Sequence, residues 1–365
     1  MFLEGSKSVY IHIPFCKTIC SYCDFCKFYI NEKWVSDYLN ALELEIKDRY
    51  MDEEVYTLYI GGGTPSALSL DALKKLFKII KLFNLSSVKE FTFECNVSDI
   101  NEELISLLVK NGVNRLSVGV QSFNQDNLKF LNREAEYLDV RRKLSICKKM
   151  GISNINVDLI YALPNESLKV LKKDLKYMIS LGITHISTYS LIIEKNTKLY
   201  NDKIVPINEE LDEKMYNLIR KYLKRKGFKQ YEISNFSMPG YESKHNLVYW
   251  NNEQYYGFGV GASGYVDNIR YDNTRNLTSY LKGNYIENKE ILGNKEMMDY
   301  ELMLGLRKMS GVNVKSFYDK YHVNIQNKYP IEELIENKDL IYKNGNIFIN
   351  PDKLYIMNEV LLKLI

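Results

Sequence analysis

Four of the chain's six cysteines stand in one short stretch, YIHIPFCKTICSYCDFCKFY, from Tyr10 to Tyr29. Cys16, Cys20, Cys23 and Cys26 are soft ligands at close spacing, a pattern that in a reducing compartment points to metal ligation rather than to disulfides. A structural zinc site ordinarily brings a second knuckle or partner histidines at set spacing, and the stretch has no separate second knuckle. An iron–sulfur cluster is the other candidate, and its irons are held by thiolates. If Cys16, Cys20 and Cys23 alone hold a [4Fe-4S] cluster, one iron has no protein ligand and is open to a small chelating molecule.

The elements around this stretch decide what can reach it. Short β-rich runs alternate with longer amphipathic ones. SVYIHI, VYTLYIGG, EFTFEC, RLSVGV, INVDLI and HISTYSL read as six strands. Helices are expected around Trp34 to Tyr50, Asp71 to Phe83, Glu102 to Asn111, Asn124 to Leu131, Tyr137 to Met150, Leu168 to Leu181 and Glu209 to Gly227. The repeated βα order predicts an α/β fold with a parallel sheet, a partial (β/α)6 barrel. The strand ends of such a barrel open onto one face, where residues distant in sequence meet. Beyond Gly227 the chain turns aromatic and glycine-rich. The expected division is a barrel over 1–227, a segment over 228–288 that closes one side of it, and a smaller C-terminal α+β domain over 289–365.

Several polar residues fall at that face. GGGTPS, Gly61 to Ser66, follows the second strand; alone it is a tight turn. Glu94 ends the third strand, Gln121 follows the fourth, and Asp158 sits in the fifth. Arg133 has the planar fork that grips a carboxylate. Singly, such residues are helix caps or surface groups; together they suit ribose hydroxyls, a carboxylate and an adenine edge. Of four histidines, His12 is expected near the cysteines without ligating, and His185 and His322 in structural roles. His245, in HNLVYW, is by itself best read as a hydrogen-bonded loop histidine. Beside Tyr249, Trp250, Tyr255, Tyr256 and Phe258, it could instead ligate haem iron while the rings pack on the macrocycle.

CxxxCxxC with Phe25 beyond it resembles the fingerprint of the radical S-adenosylmethionine superfamily. YIHIPFC, YIGGGTPS, VGVQSF, NVDLIYALP, YEISNFSMPGY, HNLVYW and GVGASGY carry the resemblance further, over nearly the whole chain, to the HemN/HemW branch. The resemblance implies a [4Fe-4S] cluster on Cys16, Cys20 and Cys23, with S-adenosylmethionine on the open iron. It puts cofactor contacts on Tyr10, Gly62, Gly63, Thr64, Glu94, Gln121, Arg133 and Asp158, and haem at His245. Ala135 departs from the pattern, since relatives often carry a histidine there.

Two functions compete within the branch. One is a haem chaperone that delivers haem to respiratory haem proteins, some of them membrane-bound. The other is an oxygen-independent coproporphyrinogen III dehydrogenase that turns propionates into vinyl groups. Three features favour the chaperone. Only nine residues precede Tyr10, whereas the dehydrogenase carries a longer arm. Phe25 stands where the dehydrogenase has a further cysteine. HNxxYW is intact. Either function implies an electron donor such as flavodoxin or ferredoxin.

The bulk properties agree with a globular protein of this class. A net charge of +3 makes no case for a nucleic-acid partner. No run approaches the ~20 apolar residues of a membrane span. MFLEGSKSVY lacks the pattern of a signal peptide, so a cytoplasmic location is expected. The isolated Cys95 and Cys147 are expected to be buried thiols. Cys26→Ser is expected to keep both cluster and cofactor binding, whereas Cys20→Ser loses both. Iron and sulfide analysis after anaerobic reconstitution reads the difference.

Overall fold

The computed structural model describes residues 7–364. Six strands follow one another in the expected order: β1 (Lys7–Ile13), β2 (Val55–Gly62), β3 (Glu90–Asn96), β4 (Arg115–Gln121), β5 (Asn154–Tyr161) and β6 (His185–Ser190). Each pairs in parallel with the next. Helices α1 (Glu32–Arg49), α2 (Leu70–Ile80), α3 (Glu102–Lys110), α4 (Gln125–Leu131), α5 (Tyr137–Lys149), α6 (Leu168–Ser180) and α7 (Glu209–Arg225) connect and follow them. Most start at an Asn or Ser whose side chain accepts a free backbone N–H of the first turn: Asn31, Ser69, Asn101, Asn124, Ser167 and Asn208.

The period-2 alternation of the strands sorts their side chains. Apolar residues such as Val9, Ile11, Leu58, Ile60, Phe91, Phe93, Leu116, Val118, Ile155 and Val157 belong to the buried core. Polar residues take the opposite face. Cross-strand bonds there join Thr57 to Ser8 at 2.8 Å, Tyr59 to Glu94 at 2.7 Å, Asn156 to Ser117 at 2.9 Å and His185 to Asn156 at 2.6 Å. The barrel therefore has an apolar outside under its helices and a polar lumen.

The segment after Gly227 does more than close one side. Strands β7 (Lys229–Gln230) and β8 (Asn235–Ser237) lie beyond β6, with β8 antiparallel to it. A helix, α8 (Lys244–Trp250), follows. Then β9 (Tyr255–Phe258) pairs with β1 in parallel, Ser8 opposite Tyr255, and supplies a seventh parallel strand. Antiparallel β10 (Ser263–Val266), β11 (Ile269–Asn273) and β12 (Ile286–Ile291) extend the sheet to twelve strands, ordered β12-β11-β10-β9-β1-β2-β3-β4-β5-β6-β8-β7. The segment reads from sequence as strands and loops, but four residues with a central glycine, YYGF, are too short a run to single out β9 or its parallel pairing with β1. Toward the C-terminus, Val312–Asn313, Asn346–Ile349 and Leu340–Lys343 form a three-stranded sheet. Its apolar residues continue the barrel's core.

A buried carboxylate ties α1 to the added strands. Glu45 is fully buried and pairs with Arg49. It also accepts from Gly259 N at 2.8 Å, Tyr280 Oη at 2.6 Å and Asn273 Nδ2 at 2.6 Å. Arg49 lies 4.3 Å over the Tyr271 ring. Removing one partner of a buried pair leaves a charge and several donors unmatched, at a cost of about 3–5 kcal/mol. Glu45→Ala is therefore expected to lower the stability by that amount in urea unfolding. A loss under about 1 kcal/mol, the size of an exposed pair, would contradict this role.

Candidate functional site

The cysteine loop begins where β1 ends and is pinned from several sides. Phe15–Cys16 pairs in parallel with Phe28–Tyr29, closing the loop that carries Cys20 and Cys23. Ser21 N donates to Leu131 O at 3.2 Å, Asn132 Nδ2 to Ile19 O at 2.9 Å and Lys27 Nζ to Cys23 O at 2.5 Å. Lys17 reaches Asp99 at 2.7 Å, and Ser66 of GGGTPS donates to the same carboxylate at 2.8 Å. Asp99 thus joins the two loops, a role nothing in its sequence neighbourhood announced.

The three glycines before Thr64 are required by space. A Cβ on Gly61 would meet the Glu94 carboxyl and the Tyr59 ring at 2.8 Å. At Gly62, where φ is +117°, it would meet the His12 ring at 2.8 Å. At Gly63 it would stand 2.9 Å from the Cys16 sulfur. Gly62 N also donates to Glu94 at 3.1 Å, and Thr64 Oγ1 lies 3.4 Å from Cys16 Sγ.

Cys16, Cys20, Cys23, Gly62, Gly63, Thr64, Glu94, Gln121, Arg133 and Asp158 line one cavity of about 710 Å³. Tyr10 is apart from them. It lines an adjoining cavity of about 400 Å³, which shares Glu94 and Tyr59 with the first, and it lies 2.9 Å from His12 Nδ1. Arg133 is not a free fork. One nitrogen donates to Gly119 O at 2.6 Å and another faces Cys20 Sγ at 3.7 Å. Gln121 takes φ +73°, and its Oε1 is buried without a donor. Tyr22, Tyr59, Asn156 and Ser187 line the cavity too. Tyr22 could have been found from its place beside Cys23; the other three read as ordinary strand residues.

Burial dominates the electrostatics. It pushes the Glu94 carboxyl up to about 7, against the opposing bonds from Tyr59 and Gly62. It raises Asp158 as well, against bonds from Asn156 and Ser187. Burial also raises the Cys16 thiol and lifts Cys23 to about 11. Ligating thiols must lose those protons, so loading a metal here would release them. Among the described residues, no three His, Cys, Asp or Glu side chains converge as for a single metal ion.

Cys26 and the histidines are placed elsewhere. Cys26 Sγ contacts Arg275 O at 3.5 Å, and its carbonyl is 2.8 Å from His12 Nε2. His185 is held between Asn156 and Tyr231. His245 lies on α8, not in a loop, and is 1% exposed. Nδ1 is 2.7 Å from Thr57 Oγ1 and Nε2 is 2.7 Å from Tyr249 Oη. The Glu90 carboxylate accepts from Lys244 N and His245 N, both at 3.0 Å. Thr57 and Glu90 stand early in their strands, so His245 lies toward the barrel floor, away from the cysteines. The rings near it form no single platform: Tyr256 and Phe258 belong to the core with Tyr50 and Phe83.

Residues 10–178 match the model of the radical SAM superfamily. The chain is 40% identical over 361 residues to a protein of Lactococcus lactis named heme chaperone HemW, covering 96% of this chain and 95% of that one. It is 38% identical over 371 residues to the Bacillus subtilis protein of the same name, covering 97% and 98%. The chain belongs to the HemW family of radical SAM proteins. Its fold is similar to that of coproporphyrinogen III oxidase (HemN) from Escherichia coli, with a TM-score of 0.86 at 20% identity over 99% of this chain and 90% of that one. The expected fold class and family are thereby borne out. Membership of the superfamily implies a [4Fe-4S] cluster and S-adenosylmethionine. Among the described residues, no helix is long and apolar enough to cross a membrane.

The desolvated carboxyl of Glu94 makes a pH-dependent prediction. Its pKa is raised from 4.5 to about 7, so the folded state holds the proton more tightly than the unfolded one. Its favourable contribution is full below the unfolded value and is lost as pH rises through about 7. Relative to wild type, cofactor-free Glu94→Gln is expected to gain Tm between pH 5 and pH 8, roughly the window those values span. Parallel Tm profiles for the two proteins would contradict it.

Proposed function

We propose that the chain is a haem chaperone that carries a [4Fe-4S] cluster and S-adenosylmethionine and passes haem to a respiratory haem protein. The observation that carries this reading is the near full-length identity of 38–40% to proteins named heme chaperone HemW. Phe25 at the position where the dehydrogenase has a further cysteine supports it. The likeness to HemN is one of fold alone.

The donor set suits the implied cofactors. Three thiols of one pinned loop face one cavity, and the fourth is turned to Arg275. Gly63 leaves the space that Cys16 needs to ligate, and Arg133 sets a positive charge beside Cys20. Glu94 and Asp158 are half-buried acceptors suited to ribose hydroxyls, and Gln121 Oε1 is buried without a donor. When bound, the cluster supplies an electron to the sulfonium of its cofactor. The cytoplasm as location, a flavodoxin- or ferredoxin-type donor and a respiratory recipient belong to the same proposal.

The axial ligand assigned to haem iron is His245. Coordination there would exchange the Tyr249 hydroxyl on Nε2 for iron, at the cost of one buried hydrogen bond. Anaerobic incubation with coproporphyrinogen III, reductant and S-adenosylmethionine is expected to yield no protoporphyrinogen IX, while haem titrates to a defined complex. Efficient product formation would overturn the chaperone reading. Tyr249→Phe frees Nε2 and is expected to tighten haem binding by about threefold to tenfold. An unchanged haem spectrum in His245→Ala would remove His245 from the iron.

A further inference from the structure

The barrel floor holds a buried cation with no hydrogen-bonding partner among the described residues. Arg115 opens β4 and is 2% exposed. Its side chain makes no hydrogen bond or ion pair with any described residue, and its Nε is buried unpaired. A guanidinium in that position is strongly unfavourable unless something solvates or neutralises it. Glu94 and Asp158 feel its charge, which lowers the pKa of each, but neither is hydrogen-bonded to it: each is bonded to its own neighbours, Tyr59 and Gly62 for one, Asn156 for the other. Arg115 instead faces the larger cavity.

A second free group points the same way. HNxxYW divides its labour. His245 is tied into the floor through both ring nitrogens. Asn246, the next residue, lines both cavities, and its side chain makes no hydrogen bond among the described residues. An amide N–H and a guanidinium fork that line one cavity can together receive a planar carboxylate.

We propose that Arg115 and Asn246 form a carboxylate-binding floor that receives a propionate of the tetrapyrrole cargo. The proposal rests on the haem reading above. Ile233, Tyr189, Leu354 and Met357 add apolar wall to the same cavity, suited to a macrocycle. The other carboxylate at hand, that of S-adenosylmethionine, belongs at the mouth. β4 runs from Arg115 to Gln121, roughly 20 Å at the rise of an extended strand. A methionine carboxylate on the open iron is thus at the far end from the Arg115 backbone.

The test uses full-length protein with its cluster reconstituted, titrated anaerobically with haem and with haem whose propionates are methyl esters. Wild type is expected to prefer free haem by roughly ten- to a hundredfold, the strength of a charge-assisted contact. Arg115→Gln and Asn246→Ala are expected to reduce that preference, Arg115→Lys to recover part of it, and all to keep affinity for S-adenosylmethionine. Asn246→Ala alters a side chain that bonds to no described residue, so it keeps the inference falsifiable if Arg115→Gln does not fold. Equal binding of haem and ester by wild type would overturn the floor site while the haem reading stands, with ordered water as the partner of Arg115. Wild type that binds neither porphyrin would overturn both. Loss of S-adenosylmethionine binding in Arg115→Gln, with the haem preference intact, would assign the carboxylate to methionine and overturn the inference.

Discussion

At the mouth end of β2 there is no room for a side chain at three consecutive positions. A Cβ at Gly61 runs into Glu94 and Tyr59, one at Gly62 into His12, and one at Gly63 into the sulfur of Cys16. This exclusion lets three groups from three elements close on one point. Cys16 belongs to the loop after β1, His12 to β1 itself and Glu94 to β3. The loop can then be fixed from outside by Asp99 and Asn132 without filling the cavity it borders.

The lumen works because each strand carries its two chemistries on alternate residues. Apolar side chains face the helices and bury the sheet. Polar ones face inward and bond across strands, so a network rather than a set of isolated groups is buried. Two arginines act on the carboxylates of that network by charge, without a hydrogen bond to either Glu94 or Asp158. Arg133 sits at the mouth beside Cys20, and Arg115 starts from the floor near α8. Mouth and floor are separate ends of one polar chamber.

Much of this was legible in the sequence because strand periodicity is a local signal. SVYIHI and EFTFEC alternate visibly, and Glu94, Gln121 and Asp158 stand out as polar groups at strand ends. The cysteine spacing is likewise local. What escaped is what depends on contacts distant in sequence. YYGF becomes a strand only because β1 offers an edge. HNLVYW becomes a helix at the floor because Glu90 accepts its first backbone N–H groups. Arg133 looked like a free fork, yet Gly119 O takes one of its nitrogens. Asn246, hidden beside a histidine that drew attention, is the residue of that motif that lines the larger cavity, whereas His245 and Tyr249 line the smaller one.

The central claim is that Cys16, Cys20 and Cys23 hold a cluster whose fourth iron takes S-adenosylmethionine. Electron–nuclear double resonance on the reduced, reconstituted protein tests it directly, with cofactor labelled by nitrogen-15 at its amino group. The account predicts a nitrogen-15 hyperfine coupling that appears with the cofactor in wild type and persists in Cys26→Ser. A cluster signal that is unchanged by the cofactor, with no such coupling, would contradict it.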